Sequence, residues 1–158
     1  MNTSARPVGD LCAAECKLPG DKTVILISIY ISPKQKISDI IDFFNKILFS
    51  YSTKNSSEII SLKDYQTYPI LISGDFNVNF SKPESKPLID FLLTEFHLKM
   101  SNNSFTTTTR RNTTIDAVFT RGIDNLTSHV YASYFSYHKP IITIAGIADN
   151  NDVNNAAD

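Results

Sequence analysis

The chain divides into short apolar runs and stretches in which apolar residues recur every three to four positions. Residues 11 to 31 read as two strands around Pro19-Gly20-Asp21-Lys22, the second being the β-branched run from Thr23 to Ile31. Pro33 stops that strand, and Ser38 stands where a helix cap belongs, ahead of Ile40, Ile41, Phe44, Ile47 and Leu48 on one helical face. Residues 50–68 are rich in Ser, Lys, Asn and Thr around one apolar patch, Glu58 to Leu62, and read as a long surface connection. Pro69-Ile70-Leu71-Ile72-Ser73 is a short strand apolar on both faces, ending at Gly74. Ser85 before Lys86-Pro87 predicts a second helix start, with Leu88, Ile89, Leu92, Leu93 and Phe96 buried and Asp90, Glu95 and His97 outward. After a Thr-rich loop come three strand candidates, Thr114–Thr120, Ser128–Phe135 and Pro140–Ile147. The order β-β-α-β-α-β-β-β is a layered α/β pattern with several antiparallel pairings.

Composition narrows this to one globular domain: 158 residues, 42% apolar, 20% charged, without Trp. We place a disordered N-terminus at 1–10, the folded domain at 11–147 and a disordered acidic, Asn-rich tail at 148–158. No apolar run approaches the roughly 20 residues of a membrane-spanning helix, and MNTSARPVGD has no secretory or organellar pattern. The expected location is intracellular, nuclear or cytoplasmic, with no membrane partner. Net charge is −1, and +2 without Asp149, Asp152 and Asp158, so overall charge argues neither for nor against a polyanion. Cys12 and Cys16 stand too far apart on a strand for a disulfide and read as buried small hydrophobes. The Asn-x-Ser/Thr triplets at Asn2, Asn55, Asn102, Asn112 and Asn125 follow from the heavy use of these residues.

The chemistry-bearing run is Gly74-Asp75-Phe76-Asn77 at the end of the apolar strand. An extended backbone there puts Asp75 and Asn77 on one side, where a carboxylate and a carboxamide oxygen suit magnesium or orient a water and a phosphate. The same residues also suit a local turn in which Asp and Asn bond the backbone. Asp116 lies inside the apolar run Ile115 to Phe119 and needs a partner or water. His138 sits at a strand junction before Pro140-Ile141, while His97 and His129 have no suggestive partner. A strand-end Asp-x-Asn, a strand Asp and a His before the last strand, in that order, match a site for phosphodiester hydrolysis.

With Tyr30 in SIYISPKQ, GDFN at 74–77, Asp116 in RRNTTIDAVFTR and His138 in SYHKPI, the chain resembles the endonuclease/exonuclease/phosphatase superfamily. That group includes deoxyribonuclease I, apurinic and retrotransposon endonucleases and inositol-phosphate phosphatases. The resemblance runs from about residue 11 to residue 147, and the Thr-Arg-rich segment and SYHKPI look most like endonucleases of mobile elements. It implies a four-layer α/β/β/α sandwich of the deoxyribonuclease I-like type with the site at one edge of two sheets, and Mg2+ or Mn2+ as cofactor. It further implies that Asp75 aligns or deprotonates the attacking water, that Asn77 holds the scissile phosphate, and that Asp75 and Asn77 ligate the metal. His138 would contact the phosphate, Asp116 would fix the His138 tautomer, and Tyr30 would donate to a phosphate oxygen or leaving group. Arg110 and Arg111, following four threonines, read equally as a grip on a nucleic-acid backbone and as a solvated charged loop.

The superfamily also carries a metal-binding Glu and an Asn on earlier strands, and an Asp directly before its final His. Glu15 does not match the first pattern, and position 137 is Tyr. The fold is therefore expected to be incomplete at the N-terminus, to bind magnesium weakly and to leave a sheet edge and part of a core face uncovered. Three readings follow: a metal-dependent endonuclease domain acting on DNA, a catalytically inactive module of the same fold that binds nucleic acid or a protein, and a phosphatase of the same superfamily. Oligomeric state is left open.

Overall fold

A computed structural model describes residues 7–19, 22–49 and 69–146. Strands β1 (Gly9–Leu18) and β2 (Lys22–Ile31) pair antiparallel as a hairpin. Helix α1 (Ile37–Phe49) crosses to β3 (Ile70–Asp75), which joins β2 in parallel. Helix α2 (Lys86–Phe96) leads through the two-residue β4 (Lys99–Met100) to β5 (Asp116–Arg121), which is antiparallel to both β3 and β4. These strands make one five-stranded mixed sheet in the order β1-β2-β3-β5-β4. A separate antiparallel ribbon, β6 (Leu126–Val130) with β7 (Ile141–Ala145), completes a mixed α/β fold.

Strand alternation decides which face of the sheet is dry. Ile25, Ile27, Ile29 and Ile31 of β2, Ile70 and Ile72 of β3, and Ala117 and Phe119 of β5 all point to one face and are buried. That face is covered by Ile40, Phe44 and Leu48 of α1 and by Leu88, Leu92 and Phe96 of α2. The other face carries Leu26, Ser28 and Tyr30, then Leu71, Ser73 and Asp75, then Asp116 and Val118. The ribbon approaches this face: Ser128 on β6 bonds Ser101 at 2.7 Å and Thr143 on β7 at 2.9 Å. Among the described residues the layers are thus helices, five-stranded sheet and ribbon, and no helix covers the ribbon's outer side. Strand β1 forms one edge of the sheet, and Leu26, Ile142 and Ile144 keep appreciable exposure.

Several local expectations shift. Strand β1 begins at Gly9 and so takes in the last two residues of the stretch expected to be disordered, and the expectation for residues 1–6 lies outside the described residues. So do Gly20 and Asp21 of the first turn, the 50–68 connection and the tail. Helix α1 starts before Ser38, and the Lys36 carbonyl accepts from the amides of Asp39 and Ile40, so Ser38 lies in the first turn rather than capping it. In α2, Leu93 turns to solvent, because the buried stripe Leu88-Leu92-Phe96 runs along positions four apart. The expected 128–135 strand starts earlier and stops at Val130, its second half being a turn. Cys12 is exposed and Cys16 half-buried, both free, since β1 is an edge strand and Cys12 lies on the face that the helices do not cover. No helix among the described residues is long and apolar enough to cross a membrane.

Candidate functional site

Register brings the site together. Tyr30 on β2 is paired with Asp75 on β3, and Asp75 is paired with Asp116 on β5. Residues directly opposite one another project to the same face, so three side chains from three adjacent strands form one row on the helix-free face.

Each residue of Gly74-Asp75-Phe76-Asn77 has a separate task in making that row possible. Gly74 has φ +154°, and a Cβ there would lie 1.9 Å from the Ile29 carbonyl oxygen, so only glycine permits this approach of β3 to β2. Phe76 turns into the core, fully buried, stacking on Phe44 at 6.0 Å and contacting Phe80 and Phe119 edgewise or tilted at 5.4 Å. Its amide donates to the Ile115 carbonyl at 2.9 Å, tying the end of β3 to the residue before Asp116. Asn77 takes the left-handed conformation, φ +50°, which Asn tolerates better than most residues.

Asp75 and Asn77 therefore meet through a turn, and the extended geometry expected for residue 77 is replaced by it. The Asn77 amide donates to Asp75 Oδ1 at 2.9 Å, and Asn77 Nδ2 donates to Asp75 Oδ2 at 3.2 Å and to the Ile31 carbonyl at 2.8 Å. The local-turn reading and the shared-site reading are both realised: the turn fixes the carboxylate that the site uses. The Asn77 carboxamide oxygen accepts no hydrogen bond from the described residues, which leaves it for a water or an ion.

His138 meets the row from the loop that precedes β7. Its Nδ1 lies 2.9 and 3.0 Å from the two Asp116 carboxylate oxygens, and its Nε2 is 3.9 Å from Asp75 Oδ2. A carboxylate only accepts, so Nδ1 carries a hydrogen and Asp116 fixes the ring's tautomer and orientation. Burial pushes the Asp75 carboxyl above the ordinary range. The Asn77 amide opposes that shift, the Asp116 charge adds to it, and the His138 ring opposes it. Tyr30 is 45% exposed at the outer end of the row.

Among the His, Cys, Asp and Glu side chains of the described residues, Asp75, Asp116 and His138 place one ligand atom each within 4.8 Å of the others. Two carboxylates at this spacing fit a magnesium or manganese ion that keeps most of its waters. Asp75 and Asp116 supply the carboxylates, and the uncommitted carboxamide oxygen of Asn77 is a further oxygen donor on the Asp75 turn. A cleft of about 700 Å³ opens beside the cluster, floored by Leu26, Leu71 and Val118 and walled by Ser136, His138 and Ile141.

Arg110 and Arg111 are exposed but engaged. The Arg110 guanidinium donates to the carbonyls of Tyr134 at 2.7 Å and Ser133 at 3.4 Å, and that of Arg111 sits 6.0 Å over the Tyr137 ring. Both arginines thus buttress the loop that carries His138.

A buried polar frame beneath the cluster went unread in the sequence. Thr108 Oγ1 accepts from the amides of Ile115 and Asp116, each at 3.1 Å, while its carbonyl accepts from the Lys139 amide at 2.8 Å. Asn102 accepts from the Val118 amide at 2.8 Å, and Asn79 from the Thr114 amide at 3.1 Å. The one available signal was Thr106 to Thr109, four hydroxyls in a row before two arginines. His97 ends α2 in a left-handed conformation, φ +56°, and His129 lies on β6; neither reaches the site.

No protein-family model matches the chain, and no characterised protein matches it in sequence. Solved structures do match in shape. Beta toxin 275-280 from Staphylococcus aureus superimposes with a TM-score of 0.55 at 18% identity over 87% of this chain and 57% of its own. A mannosyl-6-phosphatase from Bacteroides thetaiotaomicron gives 0.49 at 13% identity over 81% of this chain and 53% of its own. The human Nocturnin catalytic domain with bound sulfate gives 0.48 at 13% identity over 85% and 52%. The chain thus spans a little over half the length of these proteins. The toxin match establishes a common fold, the deoxyribonuclease I-like α/β arrangement.

Proposed function

We propose that the chain is a divalent-metal-dependent phosphodiester hydrolase, acting on DNA as an endonuclease of the mobile-element type. The observation that carries this reading is the row Tyr30-Asp75-Asp116 capped by His138. A carboxylate held above its ordinary pKa lies 3.9 Å from an imidazole whose other nitrogen is locked on a second carboxylate.

In this reading Asp75 positions the attacking water and takes its proton as the water oxygen bonds to phosphorus and the P–O bond to the leaving oxygen breaks. His138, held through Nδ1 by Asp116, faces its Nε2 to a phosphate oxygen. The Tyr30 hydroxyl donates to a further phosphate or leaving-group oxygen, and the Asn77 carboxamide oxygen accepts from the attacking water, its Nδ2 being committed to Asp75 and the Ile31 carbonyl. Mg2+ or Mn2+, held by Asp75 and Asp116, supplies positive charge against the phosphate when bound. With a net charge of −1, recognition in this reading rests on groups beside the site rather than on a long-range positive field.

The test is nicking of supercoiled DNA with Mg2+, with Mn2+ and with EDTA, comparing the chain with Asp75→Ala and His138→Ala. Metal-dependent nicking by the parent chain, reduced at least about 100-fold in each variant, is the expected result. Equal activity in all three proteins, or none in any, overturns the reading.

A further inference from the structure

Residues 131–137 read Tyr-Ala-Ser-Tyr-Phe-Ser-Tyr, four large rings in seven residues directly before His138. Tyr134 is 85% exposed and Phe135 101%, so two side chains that would stabilise a core stand in solvent. Their backbone is nonetheless held firmly. Arg110 donates to the Tyr134 carbonyl at 2.7 Å and the Arg110 amide to the Tyr137 carbonyl at 3.1 Å. The Ser136 amide bonds Ser133 Oγ at 3.1 Å, the His138 amide bonds Ser136 Oγ at 3.1 Å, and the Tyr131 amide bonds the Pro140 carbonyl at 2.9 Å. A pinned turn that aims rings outward is a presented surface.

The surface runs into the site. The Tyr137 and His138 rings meet edge to face at 5.2 Å, and the Arg111 guanidinium lies 6.0 Å over the same tyrosine. Tyr137 thus links the Arg111 cation to the imidazole, and Phe135 and Tyr134 stand two and three residues before it on the same turn. We propose that this turn is a stacking platform for unpaired nucleotides on one side of the phosphate that His138 contacts; the proposal rests on the phosphodiester reading above and names its substrate form. Exposed flat rings beside one that already carries a guanidinium suit bases, each of which offers a π-face. In a duplex those faces are covered by neighbouring base pairs, so only unpaired nucleotides can reach the rings. Three of the four rings carry a hydroxyl and the segment has no Leu, Ile, Val, Met or Trp, which favours bases over a hydrocarbon layer.

Binding without catalysis tests this. Fluorescence anisotropy in EDTA would use a labelled 12-nucleotide oligothymidine, an abasic strand of equal length, a duplex of equal length, and phosphatidylcholine–phosphatidylserine vesicles. The chain should prefer oligothymidine, and Tyr134→Ala with Phe135→Ala together should weaken that binding about 10- to 100-fold. The abasic strand and duplex should be unaffected by the substitutions, and Tyr134→Phe should bind as the parent does. Both rings being exposed, the thermal midpoint should not move. No preference for oligothymidine over the abasic strand, an equal loss on all probes, or a loss seen only with vesicles overturns the platform. Nicking that survives such a result would leave the hydrolase reading standing, whereas base-dependent binding without nicking would retain the platform and remove that reading.

Discussion

Gly74→Ala tests most sharply how the row of site residues is assembled. The new Cβ would meet backbone of the neighbouring central strand: 1.9 Å to the Ile29 oxygen, 2.8 Å to its carbonyl carbon and 3.0 Å to its nitrogen. Relief to an ordinary contact requires β3 to retreat from β2 by about 1.5 Å, in a sheet whose strands stand about 4.8 Å apart. The ladder at the Ile29–Tyr30 end would then stretch past hydrogen-bonding range, at about 1 kcal/mol per lost bond. Overpacking adds about 1–3 kcal/mol, and φ +154° is a conformation L side chains rarely adopt. The total is about 4 kcal/mol, a large share of the roughly 5–15 kcal/mol that holds a domain together. Urea unfolding followed by circular dichroism should show a midpoint lowered by about 2 M, at a slope of about 2 kcal/mol/M. Gly122→Ala is the control: φ is +65°, but the nearest atom to its Cβ is Pro69 Cα at 3.5 Å, so only the left-handed strain of about 1 kcal/mol applies. If the two variants unfold at the same urea concentration, the close approach of β3 to β2 does not position Asp75 and the reasoning fails.

Four further outcomes are expected. Asp75 has a raised folded-state pKa, so its contribution to stability is present below the unfolded value of about 3.8 and is lost as pH rises through the folded value. Urea midpoints of Asp75→Asn in EDTA, compared with the parent, should therefore shift in the variant's favour between about pH 3 and pH 7; a pH-independent difference would contradict this. Asp116→Asn and His138→Ala should be non-additive, with a coupling of about 1 kcal/mol in a double-mutant cycle of unfolding, tempered by the partial exposure of the ring. Phe76→Ala should cost about 3–5 kcal/mol, since the ring is fully buried among Phe44, Phe80 and Phe119, and a loss under 1 kcal/mol by calorimetry would refute its place as the hub. Thr108→Val should cost about 1–3 kcal/mol by leaving two amides unpaired while Thr108→Ser retains most of the stability; equal loss from both would assign the effect to packing instead.

What could be read from the sequence, and what could not, follows from how far each determinant lies along the chain. The apolar run of β2 and the stripes Ile40-Phe44-Leu48 and Leu88-Leu92-Phe96 are local periodicities, so the strands, helices and their buried faces were legible. Asp75, Asp116 and His138 are legible as a set from their order along the chain, Asp116 alone being marked by its own cost inside an apolar strand. Their mutual geometry is not. It depends on the registers Tyr30 to Asp75 and Asp75 to Asp116, which join residues tens of positions apart, and on a left-handed Asn77 that turns an extended prediction into a turn. The same distinction separates Thr108 from its three neighbours in the Thr run. Four consecutive threonines look alike in sequence, yet Thr108 accepts from the backbone of Asp116 and, through its carbonyl, from Lys139 beside His138. A one-residue change in that loop's register would give those bonds to another hydroxyl and move the imidazole relative to its carboxylate. The loop's Thr and Arg residues, read from sequence as equally a phosphate grip or a solvated surface, are in the fold largely the frame that holds His138 over Asp116.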